Sequence, residues 1–168
     1  MYPTHFNIQT QFEPFTYGQK YLDRFRKFPY INEGFKLIKT TDNSASTCYS
    51  FEYFPTAIVT FGISTNNASK IIGFINNTIS PGTIPYGFIF NADGTYSISY
   101  NNTYYSIGSY LATDIFTLAL DGTYAFFYRN GVLVSLYSRI VSITSVQLFC
   151  ELNTINDSFI HIDYNINE

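Results

Sequence analysis

Two turn signals limit what this chain can fold into. Residues 114–137 read DIFTLALDGTYAFFYRNGVLVSLY, and Asp121-Gly122 and Asn130-Gly131 cut the run into three segments. Both dipeptides suit two-residue type I′ turns, whose central residues need positive φ. Between the turns apolar side chains recur at every second position. Phe116, Leu118 and Leu120 are followed by Tyr124, Phe126 and Tyr128, then by Val132, Val134 and Leu136. Alternation on both sides of such turns predicts consecutive hairpins, an antiparallel meander.

The same pattern extends from residue 35 to the end. Strands are expected near 35–41, 47–54, 56–64, 71–76, 84–91, 94–101, 104–109, 114–120, 123–129, 132–138, 144–152 and 158–166. Turn-forming stretches separate them, such as Asp42-Asn43-Ser44, Ser80-Pro81-Gly82 and Asn101-Asn102. Short strands at this spacing predict an all-β, two-sheet antiparallel sandwich over residues 35–168. The expected inner face holds Tyr49, Phe51, Tyr53, Val59, Phe61, Ile63, Phe88, Phe90, Tyr96, Ile98, Leu118, Phe126, Leu148, Ile160 and Ile162. Cys150 is in phase with Val146, Leu148 and Leu152 and is expected in the core. Cys48 is out of phase with Tyr49 and Phe51, which argues against a Cys48–Cys150 disulfide without excluding it.

Residues 1–34 read differently. Pro3 and Pro14 interrupt regular structure, and Tyr17, Tyr21, Phe25 and Phe28 then form a stripe at helical spacing that Pro29 ends. Lys20, Arg24 and Lys27 lie on the opposite face. This predicts an N-terminal arm, extended and then briefly helical, that docks on its own sandwich or on another molecule. Residues 1–40 carry six basic and three acidic side chains, while the whole chain has a net charge of −3. A basic front and an acidic body can attract each other within or between chains. The basic residues are too few for a phosphate-binding surface, so nucleic acid is not an expected partner. Met1 is followed by neither a basic nor an apolar run, and no segment is long and apolar enough to span a bilayer. Synthesis in the cytoplasm without a signal peptide is therefore expected.

One set of motifs resembles a known superfamily. Gly94-Thr95-Tyr96-Ser97-Ile98, Asp114-Ile115-Phe116-Thr117-Leu118, Leu120-Asp121-Gly122 and Phe127-Tyr128-Arg129-Asn130-Gly131-Val132-Leu133 resemble the concanavalin A-like lectin and glucanase jelly rolls, which include laminin-G-like and SPRY domains. Ala57 to Ser64 looks like the strand that often precedes this hairpin. The resemblance spans roughly residues 47–138 and implies a jelly roll. It implies little about activity, because the fold hosts lectins, hydrolases and structural parts.

Chemistry-bearing groups are sparse. His161 lies near Asp163, but no nucleophile motif accompanies them. Glu52 and Glu151 stand alone on their strands, where a glycoside hydrolase needs a carboxylate pair. Asn91, Asp93 and Asp121 are oxygen donors in loops, and their simpler role is turn chemistry. No metal or cofactor motif is present, and the chain is expected not to be an enzyme. Aromatics make up 20% of the sequence and charged residues 12%, so surface rings and amides are the remaining binding groups. Tyr104, Tyr105, Tyr110, Asn101 and Asn102 are the candidate ligand site. Tyr17, Tyr21, Arg24, Phe25 and Phe28 are the candidate partner-binding residues of the arm. The expected role is a structural subunit of a large assembly, a minor capsid or spike-type part of a virion. The alternative is a carbohydrate-binding, lectin-like module for surface attachment.

Overall fold

The computed structural model describes residues 6–8, 35–39, 45–50, 53–76 and 83–167. The candidate arm residues Tyr17, Tyr21, Arg24, Phe25 and Phe28 lie outside them. Among the described residues thirteen strands are formed: β1 Phe6–Ile8, β2 Phe35–Ile38, β3 Ser46–Ser50, β4 Thr56–Ile63, β5 Lys70–Ile75, β6 Tyr86–Phe90, β7 Thr95–Tyr100, β8 Thr103–Ser109, β9 Ile115–Leu120, β10 Tyr124–Arg129, β11 Val132–Ser138, β12 Gln147–Leu152 and β13 Ser158–Asn167. They make two antiparallel sheets. One has seven strands in the order β1-β3-β12-β5-β6-β7-β8, and the other has six in the order β11-β10-β9-β4-β13-β2. The twelve segments expected from the sequence are β2 to β13. β1 adds a short strand to the edge of the seven-stranded sheet by pairing with β3.

The sheets meet through phenylalanine. Phe61 of β4 packs its ring 5.9 Å from Phe88 and 6.0 Å from Phe90 of the opposite sheet, and 5.9 Å from Phe116 and 5.5 Å from Phe159 of its own. Phe127 of β10 reaches Phe88 at 5.2 Å. All six rings are fully buried. Most of these pairs are edge-on, the arrangement the ring quadrupole favours.

Turn chemistry explains the hairpins, with one correction. Asn130 and Gly131 have φ of 50° and 77°, as a type I′ turn requires. Asn101 and Asn102, at 49° and 63°, make the equivalent turn between β7 and β8. Asp121-Gly122 does not, because Gly122 keeps a negative φ. Asp121 closes the loop with its side chain instead: Oδ1 accepts the N–H groups of Thr123 and Tyr124, each at 2.6 Å.

Four expected core positions are corrected by register. Phe127, not Phe126, pairs with Leu118, so Phe127 is buried while Phe126 sits half-buried on the outer face. Phe54 enters the core and Tyr53 is 40% exposed. Tyr49 pairs with Phe149 and lies on the outer face of its sheet. In β13 a bulge between Ile160 and Asp163, with His161 at φ 51°, lets both Phe159 and Ile162 face inward, so Ile160 is only half-buried. The expected inner residue Phe51 lies outside the described residues. The β3–β12 register sets Cys48 opposite Cys150, which the sequence phase did not anticipate, and Cys150 is a buried free thiol.

Truncating the ring that joins the sheets should be costly. Phe61→Ala is expected to lower the unfolding free energy by about 3–5 kcal/mol in urea denaturation. Val141→Ala, at a residue 93% exposed, should stay within about 0.5 kcal/mol of the parent. Equal losses would contradict this account of the core.

Candidate functional site

The residues singled out from the sequence separate in three dimensions. Asn101 and Asn102 form the β7–β8 turn, and Tyr104 next to it is 61% exposed. Tyr105 stacks on Tyr137 at 5.7 Å, and Tyr137 stacks on Tyr100 at 4.3 Å with the rings 11° from parallel. Tyr100 Oη donates to the Ser138 carbonyl at 2.7 Å. This stack joins the edge strands β8 and β11 across the open side of the sandwich, so Tyr105 has a packing role. Tyr110 leaves the candidate surface altogether: it is 2% exposed and packs against Phe90 at 5.0 Å. Burial pushes its phenol up to about 12, so it stays neutral in the core.

A better-formed site lies on the outer face of the seven-stranded sheet. Thr47 and Tyr49 alternate on β3, and their register partners on β12 are Glu151 and Phe149. The Tyr49 and Phe149 rings are 5.4 Å apart. Thr83 and Ile84 fold over this face, and with Ile75 they close a cavity of about 230 Å³. Two glycines make room here, Gly87 for that segment and Gly73 for the backbone of β6. Gly73 and Gly87 are register partners, and a Cβ on Gly73 would run into the Tyr86 carbonyl, while one on Gly87 would come within 2.8 Å of Ile84 Cγ2. The segment is pinned by Ser99 Oγ, which donates to the Ile84 carbonyl at 2.5 Å, and by Asn101 N–H, which donates to the Pro85 carbonyl at 2.8 Å. Glu151 is half-buried, and among the described residues its carboxylate accepts one long hydrogen bond, from Asn153 Nδ2 at 3.5 Å. Its oxygens therefore keep acceptor capacity beside a pair of rings and two threonine hydroxyls.

The sequence contained half of this arrangement. The inward alternation of Leu148, Cys150 and Leu152 already places Phe149 and Glu151 outward. Tyr49 and the covering segment depend on pairing between distant strands, which no local pattern encodes.

Two polar clusters have a structural role. Asp114 accepts Arg129 Nε at 2.9 Å, Asn130 Nδ2 at 2.8 Å and Leu111 N–H at 2.8 Å, while Arg129 Nη1 donates to the Ser109 carbonyl. Burial works against the Asp114 carboxylate, but these hydrogen bonds and the Arg129 charge outweigh it and hold its pKa below the usual value. At the other site Lys70 Nζ donates to Asp157 Oδ1 at 2.8 Å, and Ser64 Oγ, Thr65 Oγ1 and Ser158 N–H donate to the same oxygen. Burial lowers the Lys70 pKa, with Asp157 opposing. Lys70, Asp157 and Ser158 are each at most 2% exposed, so this cluster offers a ligand no face. Asp93 and Asp121 serve turns, and His161 and Asp163 are both exposed on β13. Among the described residues no group of three or more His, Cys, Asp or Glu side chains is placed to hold a metal.

No protein-family model matches the sequence, and no curated protein matches it. Solved structures do. The SPRY domain of human HERC1 is similar over 82% of this chain and 92% of its own, with 14% identity and a TM-score of 0.55. Carbohydrate-binding module CBM66 from Bacillus subtilis matches over 80% of this chain and 92% of its own, with 12% identity and a TM-score of 0.50. A sialidase matches over 79% of this chain with 10% identity and a TM-score of 0.59, and the chain spans 15% of that protein's length. These likenesses establish the fold as a concanavalin A-like jelly roll. They overturn the expectation that the chain is not an enzyme. An alginate lyase, a sialidase and a transglycosylase share the fold, each at 10% identity, so it houses enzymes and non-enzymes alike.

The Asp114 cluster predicts a pH dependence. A carboxylate with a depressed folded pKa adds stability above its unfolded value, near about 3.9, and loses it as pH falls through the lower folded value. The urea midpoint of the parent should therefore drop as the pH is taken below about 4, and Asp114→Asn should flatten that drop. Identical pH profiles for the two proteins would contradict the assignment.

Proposed function

We propose that this chain is a lectin-like binding module that takes a glycan in the cavity between β3, β12 and residues 83–85. The observation that carries this reading is the convergence of Tyr49, Phe149 and Glu151 with the threonines Thr47 and Thr83. Sugar rings present apolar C–H faces and a rim of hydroxyls. Aromatic rings pack against the former, and a carboxylate accepts from the latter. Apolar walls with a few placed polar groups are the usual composition of a small-ligand site. The resemblance to a carbohydrate-binding module and to other interaction domains supports the class of function at the level of the fold.

The second reading is a subunit of a larger assembly, with the virion as its place. It is supported by the outer face of the six-stranded sheet, where Ile58, Ile115, Tyr124, Leu133 and Leu136 are each 36–47% exposed. Apolar residues gathered on one face are the common mark of a protein interface.

A glycan panel followed by titration calorimetry tests the first reading. Tyr49→Ala and Glu151→Gln are each expected to weaken binding about tenfold, the effect of losing one stacking surface or one charged hydrogen bond of about 1.4 kcal/mol. Both variants should keep the parent's cooperative melting. Absence of binding across a broad panel, with an assembled mass in light scattering, would replace this reading with the second.

A further inference from the structure

Glu151 brings a carboxylate into the cavity read above as a glycan site, and it is the charged side chain among the described residues that line it. Sheet register sets it in a square of four outward side chains. Thr47 faces Glu151 across the β3–β12 pair, and Tyr49 faces Phe149 in the next outward row. The Tyr49 and Phe149 rings lie 5.4 Å apart. Glu151 and Phe149 are two residues apart on β12, about 6.6 Å along the strand. On the other side of Phe149 the β5 partner is Gly73, which has no side chain, and Ile75 and Ile84 wall the space beyond. The carboxylate thus stands beside two rings, with apolar walls behind them and a threonine hydroxyl opposite.

A cavity of about 490 Å³ beside the β11–β12 connection differs in kind. Arg139 is its charged lining residue, and that guanidinium ties the carbonyls of Pro55, Asp121 and Ile143. It is a clasp of the fold, and the walls around it are mainly apolar. The Glu151 cavity is smaller, at about 230 Å³, but it joins a charge to rings and hydroxyls. It falls below the roughly 300–1,000 Å³ of sites for drug-sized ligands, so it suits one sugar ring of a chain.

We propose that the Glu151 cavity selects a sugar that carries a protonated amine, a hexosamine without an acetyl group, over neutral and acidic sugars. This deepens the glycan reading and rests on it. A sugar hydroxyl gives the carboxylate a hydrogen bond, whereas an ammonium adds the attraction of opposite charges in a site half shielded from water. An ammonium that donates to Glu151 is also brought beside Phe149 and Tyr49, and a cation within about 6 Å of a ring centroid is attracted to the ring face. A hydroxyl gains nothing comparable from the rings. A uronic or sialic acid would set a second negative charge against Glu151, which costs affinity. The C–H face of the sugar and its hydroxyls use the apolar walls and Thr47, which a bare ammonium would leave unused.

Calorimetric titration of the full-length chain at about pH 6 tests this with three β-1,4-linked tetramers that differ only at C2: glucosamine, N-acetylglucosamine and glucose. The fourth probe is n-butylammonium. The glucosamine tetramer is expected to bind at least about tenfold tighter than each of the others. Raising the pH to about 9 removes the protons of its amines and should erase the preference. Glu151→Gln should bring the glucosamine tetramer down to the affinity of the other two tetramers, with melting unchanged. Thr47→Lys keeps the carboxylate but sets an ammonium opposite it, and should erase the preference in the same way. Equal affinity for the three tetramers would overturn the preference for an amine and leave the glycan site standing. So would tight binding of another glycan from the panel with none of the glucosamine tetramer. Butylammonium binding as tightly as the tetramer would assign the cavity to a bare cation and overturn the sugar. Absence of binding by every glycan would remove the underlying reading as well.

Discussion

Contact between the two sheets through the Phe61 ring is the interaction on which the molecule depends. A sheet buries one face only against another layer. Here rings from β4, β6, β9, β10 and β13 meet between the layers, packed among buried aliphatic side chains such as Val59, Ile72, Leu118 and Leu148. Once those strands are held face to face, both cavities form where a connecting segment lies against the sandwich. One lies where residues 83–85 fold back over the outside of β6 and β7. The other lies where the chain leaves β11 for β12, around residues 139–144.

The sparse charges are spent on the ends of the sandwich. Arg129 and Asp114 tie the β10–β11 turn to the start of β9, and Lys70 and Asp157 tie β5 to the start of β13. Arg139 belongs to the same set by position, since it gathers carbonyls from three segments. Glu151 stands apart from this set as an acid on the outside of a sheet, lining a cavity with the Tyr49 and Phe149 rings.

Most of the strand order was legible because alternation and turn chemistry are local. Asn130-Gly131 adopts the turn its residue types specify, and every expected strand from residue 35 onward is present. What was not legible is register. Phe126 and Phe127 are both good core residues, and only the pairing with β9 decides which one faces Leu118. The bulge at His161 shifts the phase of β13 without any glycine or proline to announce it. Tyr110 followed the same logic: in sequence it stands beside a polar loop, while in space it closes the core against Phe90. The candidate cavity draws on β3, β5, β12 and the 83–85 segment, which are distant in sequence, so it could be seen in part through Phe149 and Glu151 but not assembled.

The central functional claim is that the cavity beside Glu151 is where this jelly roll meets its ligand. Amide chemical-shift mapping of the full-length chain during titration with whichever glycan binds in a panel addresses it directly. The account predicts shifts concentrated at Thr47, Tyr49, Thr83, Ile84, Phe149 and Glu151. Shifts gathered instead around Tyr104 and the Asn101-Asn102 turn, or on the outer face of β10 and β11, would contradict it.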